Sequence, residues 1–394
     1  MGEQQQVAKQ VDELVALLSA DDSEMAVAQQ AAKRVLVAAG DAPGDALDQA
    51  VMRLAAPIST VMISRAALLA LVSGALVERG GSAQPVAGPV VARFREAVIQ
   101  GLPFAEACVT AVGSAPGSSG EQGDDEQHNE APNSVIERFG QQVSERMPDA
   151  ARAFMSLDWL RPATLAMLSL SKSLRRQVQT DSALVQAISR FAELGMELPC
   201  FHEMLSILTD EQVVVLYPAL TRGYMIRIAG IGHNFQLHTL LADALIGDVA
   251  QGWLPGERPS PEVIAFEKDA PITNPDALPS SVGAFNLWNW TGLQADGTLP
   301  TDATGQRAHW IWNEGVPADI VSFQGTRVIL LGPPPYPRSW NSGRFFPAIV
   351  GELEVLRQLS TDEARAWLDC LAAAPKPVPT ELHITQADVE TTEP

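Results

Sequence analysis

Residues 113–133, GSAPGSSGEQGDDEQHNEAPN, contain no large apolar side chain. A run of Gly, Ser, Pro, amides and acids this long buries too little apolar surface to offset the entropy lost on ordering it. It reads as a flexible linker with a solvated His128, so the cores must be built from the sequence on either side. The expected organisation is a helical domain over 1–112, the linker over 113–133 and a second helical domain over 134–254. An α+β module over 255–374 follows, and then a disordered tail over 375–394.

Before the linker the patterning is helical. Val7, Val11, Leu14, Val15 and Leu18 recur at helical spacing. A second helix runs from caps at Asp21 to Ser23 to a stop at Gly40, and a third starts near Gly44. Pro57 suits the first turn of a fourth, which Gly80 and Gly81 close, and 89–100 supplies another. No fixed period marks a repeat family. After the linker, helices are expected over 134–146, 148–157, 161–178, 180–194 and 199–208. The segment 211–230, EQVVVLYPALTRGYMIRIAG, fits a Pro-interrupted helix or a strand followed by a helix, and we favour helix.

Beyond Gly252 the texture changes. Pro and Gly become frequent through 255–283, a surface connection. The runs 284–290, 308–314, 318–323 and 326–331 are β-like, with Gln324-Gly325 placed for a tight turn. Helices are expected at 348–358 and 361–374, the second opened by a Ser360–Glu363 capping box. The fold class is mainly α: an N-terminal and central helical bundle or solenoid, then a small α+β module containing an antiparallel meander.

Polar and ionisable residues concentrate in 223–247, GYMIRIAGIGHNFQLHTLLADALIG. A helix starting near His233 puts Leu237, Leu240, Leu241, Ala244 and Leu245 on one arc and Gln236, Thr239 and Asp243 opposite. Asn234 and His238, four apart, lie on the flank of the apolar arc and point at least partly inward. Gly230 to Gly232 leaves main-chain N–H groups for an anion seat at the helix start. His233 and His238 are five apart, so they cannot chelate one metal from one helical face. A ligand or catalytic site and a core helix tied to its neighbours both fit, and the core helix is the stronger reading.

Two further constellations carry chemistry. Trp288 and Trp290 share a strand face with Asn286, and Trp310 and Trp312 share one with Glu314. They form an aromatic platform or, more simply, bury the sheet against preceding helices. The loop 332–347 holds Arg338, Trp340, Asn341 and Arg344 on proline-stiffened backbone, where the arginines either grip an anion or pair with this chain's own acids. HEMLS at 202–206 places Ser206 where a zinc protease needs its second His. No P-loop, GxGxxG or GxSxG is present.

The net charge of −20 disfavours nucleic acid and anionic membranes as partners. Cys108, Cys200 and Cys370 are far apart, without metal or disulfide spacing. The start, MGEQQQ, lacks an apolar signal region, and Gln6 argues against myristoylation. The most apolar run, 58–77, is broken by Ser, Thr and Arg, unlike a bilayer span. High Ala with only five Lys suggests a GC-rich bacterial source. The leading expectation is a soluble, cytoplasmic interaction or scaffold protein that binds a protein partner or a small anionic ligand through its C-terminal half. The alternative is an enzyme, metal-dependent or not, whose site joins His233, Asn234 and His238 to His309, Arg338 and Arg344. No metal set, cofactor or oligomeric state is legible.

Overall fold

A computed structural model describes residues 3–20, 24–113, 132–293, 298, 309–334 and 338–374. Most of the expected linker, all of the expected tail, and His128 lie outside the described residues. Thirteen α-helices and eight strands occur among the described residues. The fold is mainly α with a small α+β C-terminal part, and the chain divides into two compact units, Met1–Ser206 and Ile207–Pro394.

The first unit is all helix: α1 Glu3–Ser19, α2 Met25–Ala38, α3 Gly44–Thr60, α4 Ile63–Glu78, α5 Gln84–Gly113, α6 Pro132–Arg146, α7 Pro148–Leu170, α8 Lys172–Thr180, α9 Ser182–Glu193 and α10 Phe201–Ser206. Helix α4 is buried along most of its length, and α7 packs on both α4 and α5. Phe94 stacks on Phe201 at 4.4 Å and Phe104 meets Phe154 at 5.2 Å. Helices from both sides of residues 114–131 therefore share one core.

Prolines punctuate this unit less than expected. Pro57 lies in the last turn of α3, and α5 and α7 run through Pro89, Pro103 and Pro162. Residues on both sides of Pro162 are buried, Leu160 before it and Thr164 and Met167 after it. Continuous packing on neighbours outweighs the lost hydrogen bond of a proline.

Arginines close the helix ends. Arg65 donates to Leu18 O and Ala20 O at the end of α1, Arg93 to Ile58 O, Ser59 O and Val61 O at the end of α3, and Arg175 to Leu168 O and Ser169 O at the end of α7. A guanidinium satisfies several orphan carbonyls at once and complements the negative end of the helix dipole.

The second unit is built on a sheet ordered β4-β6-β1-β2-β8, with β5 also on β6. Its strands are β1 Glu211–Tyr217, β2 Arg222–Ala229, β4 Asn286–Asn289, β5 Ser322–Phe323, β6 Thr326–Gly332 and β8 Glu352–Gln358. The favoured helix over 211–230 is thus corrected to an antiparallel hairpin, β1–β2. Val213 and Val215 face one core, with Ile329 and Leu331, while Val214 and Leu216 face another, with Val328 and Leu330. A strand covered on both faces is apolar at every position and shows no alternation, which is why this one read as helix. Strands β1 and β6 pair in parallel, so residues 207–254 belong with the C-terminal sheet and the compact division falls at 206/207, not at the expected 254/255.

Helix α11, Asn234–Leu245, covers one sheet face, and α13, Thr361–Ala373, contributes to the core on the other. The Ser360–Glu363 capping box opens α13. Gln324 and Gly325, both at positive φ, turn β5 into β6. The helix expected at 348–358 is corrected to β8, whose Leu353 and Val355 alternate inward against β2. A helix, α12 Pro261–Lys268, interrupts the expected connection at 255–283, and a separate ribbon pairs β3 Ser280–Val282 with β7 Ser339–Asn341.

Candidate functional site

Helix α11 collects the polar residues of the second unit. His233 is its N-cap, with Nδ1 accepting from the Gln236 N–H at 3.0 Å. Burial pushes its imidazole down, opposed by a bond to the Gly343 main chain. Three further N–H groups around this helix start are taken as well. Asn234 N–H donates to Gly315 O at 2.9 Å, Phe235 N–H to Asn313 O at 3.1 Å, and Gly232 N–H to Gln236 Oε1 at 2.9 Å. Gly230 N–H donates to Leu208 O. Gly230 itself stands at φ +69°, and a Cβ there would lie 2.1 Å from Val350 O. Two donors of the expected anion seat, the Gly230 and Gly232 N–H groups, are therefore used within the fold.

His238 is fully buried, as its place on the wheel predicted. Its Nε2 accepts from the main-chain N–H of both Ala284 and Phe285, at 3.1 Å each, so the proton sits on Nδ1. Burial, with the Arg338 guanidinium nearby, pushes the group down to about 3, and Asn313 opposes the shift. The ring is neutral at physiological pH.

The expected polar face of the helix is corrected: Gln236 and Thr239 are buried. Gln236 Nε2 donates to Glu267 O at 2.7 Å, and Thr239 Oγ1 lies 3.0 Å from Ser281 Oγ. Asp243 is held by Arg258 at 2.6 Å and Lys268 at 3.0 Å. Glu267, on α12, is fully buried. Burial pushes its carboxyl up to about 8, while Gly343 N–H, Thr239 and Arg344 pull the other way. The N–H and the hydroxyl approach it without closing a hydrogen bond of ordinary geometry. Its helix was missed in the sequence. Ser260-Pro261-Glu262 is an N-cap, a first-turn proline and a first-turn acid, and that signal was available.

The loop residues divide. Arg344, 7% exposed, donates to Phe266 O, to Ala270 O at 2.9 Å and to Pro347 O at 2.7 Å. It closes the end of α12 as the arginines of the first unit close theirs. Arg338 donates to Phe285 O at 3.2 Å. Trp340 is half-buried on β7, its ring 5.0 Å from His238 and 5.2 Å from Phe235, and Asn341 is exposed. His309 contacts Thr291 and packs over Gly292, whereas the neighbours of His238 are Ala284, Phe285, Asn313, Arg338 and Trp340. No group of three His, Cys, Asp or Glu side chains that could hold a metal occurs among the described residues.

The four tryptophans do not form one platform. Trp288 and Trp290 are buried, Trp310 packs half-buried with them, and their core includes Leu371 and Trp367 of α13, a following helix where preceding ones were expected. Trp312 is 54% exposed. Its carbonyl accepts from Asn234 Nδ2 at 2.8 Å, which fixes it beside the start of α11. Phe345 is 45% exposed, its Cβ beside Gly232 just before the helix. Half-buried Phe235 and Trp340 complete an aromatic collar around this helix end.

Comparison with protein families, with curated proteins and with solved structures finds no match to this chain. Among the described residues, no helix is long and apolar enough to cross a membrane.

Proposed function

We propose that this is a soluble, cytoplasmic interaction protein that engages a protein partner through the aromatic collar at the start of α11. The observation that carries the reading is the exposure of Trp312 and Phe345 beside the start of α11, where Phe235 and Trp340 pack together. Exposed aromatics beside a helix start tied to its neighbours by main-chain hydrogen bonds have the composition of interface anchors, which bury large area at little entropic cost. The polar residues beneath them, His233, Asn234, Gln236 and Arg344, support the surface through main-chain bonds.

The test places a photo-crosslinking residue at position 312 or 345 in cells, with position 363 on α13 as control. Adducts are identified, and binding is then measured with purified components. W312A and F345A should each weaken that complex by about tenfold or more without lowering thermal stability. Adducts no different from the control position would sink the reading.

A second reading keeps the enzyme alternative, with a site joining the 230–243 segment to His309, Arg338 and Arg344. One observation favours it: Glu267 and His238 both carry strongly shifted pKa values beside α11, and such shifts cluster at functional sites. Against it, both groups are fully buried. A small anionic ligand at Arg338, Trp340 and Asn341 is a lesser form of the binding reading.

A further inference from the structure

The ribbon β3–β7 has one edge that pairs with nothing among the described residues. Its register pairs Ser281 with Trp340. Ser342 N–H donates to Pro279 O at 2.8 Å and Gly283 N–H to Arg338 O at 2.9 Å. In an antiparallel ladder bonded pairs alternate with unbonded ones, so 279, 281 and 283 bond to β7. Ser280 and Val282 therefore turn their main-chain N–H and C=O groups the other way. Both residues are exposed, Val282 at 66%, while Ser281 between them is buried. The next outward N–H, that of Ala284, is taken by His238 Nε2, so the open edge ends there.

This edge forms one wall of a cleft of about 370 Å³ whose other wall is Gly256 to Ser260. The facing wall is glycine and proline rich, which lets another backbone come close. Val263 and Ala284 give the cleft apolar surface. Arg258 on that wall shares the Asp243 carboxylate with Lys268, at 2.6 and 3.0 Å, while Glu257 beside it is exposed, as is Glu262 just beyond the cleft lining.

We propose that this cleft binds an extended, basic peptide segment of another protein by strand addition to β3. Main-chain bonds to Ser280 and Val282 hold the peptide in the extended form. Exposed Glu257 and Glu262 at this cleft and a chain charge of −20 select its sign. The site is separate from the aromatic collar, and its failure would leave the collar reading untouched.

The edge geometry supplies a clean variant. Val282→Pro removes an N–H that bonds nothing among the described residues, and proline is tolerated at such edge positions. Ser280→Pro does the same one step away and decides the matter alone if the first variant misfolds. The probes are fluorescein-labelled heptapeptides of alternating Lys and Val, or of alternating Glu and Val, read by anisotropy on the full chain. The Lys–Val peptide should bind, should bind at least about tenfold more weakly to V282P and S280P, and should be indifferent to W312A. The Glu–Val peptide should be weaker by a similar factor. The proposal is overturned by equal Lys–Val binding in the edge variants, by a Glu–Val peptide that binds as well, or by no binding at about millimolar protein. A concentration-dependent dimer that V282P abolishes would overturn it too, by assigning the edge to a second copy of this chain.

Discussion

His238 Nε2 accepts the main-chain N–H of Phe285 at 3.1 Å, and that of Ala284 at the same distance. One imidazole thus fixes where β3 ends and β4 begins. This use of the ring requires it to be neutral, and burial keeps it so.

Replacing His238 with Leu keeps the apolar packing of α11 and strands two buried donors. The expected cost is about 1–3 kcal/mol for each donor left without an acceptor. Chemical denaturation measures it, and a midpoint equal to wild type would mean the two N–H groups find another partner.

The shifts of His238 and Glu267 predict opposing pH slopes. His238 falls from 6.5 to about 3, so between these values the unfolded chain binds the extra proton and stability declines as pH drops. Glu267 rises from 4.5 to about 8, so across that window the folded chain holds the extra proton and stability declines as pH rises. Each slope is about 1.4 kcal/mol per pH unit. They cancel between 4.5 and 6.5, where these two groups leave a plateau, and above 6.5 only the Glu267 slope remains. Glu267→Gln should therefore gain on wild type as pH rises from 6.5 to 8. Urea midpoints of the two proteins that stay parallel over this range would show that Glu267 does not titrate there.

Arg344→Ala should lower stability by about 2–4 kcal/mol, because two main-chain carbonyls at the end of α12 and that of Pro347 lose a shared donor. Lysine should rescue little of it, since a point charge cannot reproduce the planar fork. Thermal melts of R344A and R344K decide the matter, with unchanged melting in R344A as the contrary result.

The tryptophans should divide in the same way. Trp288→Ala, at a position 5% exposed in the α13 core, should cost about 3–5 kcal/mol. Trp312→Ala, at a position 54% exposed, should cost under about 1 kcal/mol. Comparable losses for the two would mean that Trp312 is an internal packing residue and would remove the main support for the collar.

Local chemistry was legible wherever a residue's partner lies within a few positions along the chain. The sequence alone marked the helical character of the first unit though not every helix boundary, the Ser360–Glu363 cap, the Gln324-Gly325 turn and the helix opened by His233. It also put His238 on a flank that turns inward, because helical geometry is fixed at about 100° per residue. Tertiary structure decided the rest. Burial on both faces erased the alternation that would have revealed β1, and β8 became a strand because it closes an edge against β2. Gln236 and Thr239, polar by sequence, are interior because Glu267 and Ser281 meet them from segments 31 and 42 residues away. Arg344 looked like an anion site until the carbonyls it serves, one of them 78 residues distant, came into place. A sequence records which groups need partners, and only the fold settles whether the chain itself supplies them.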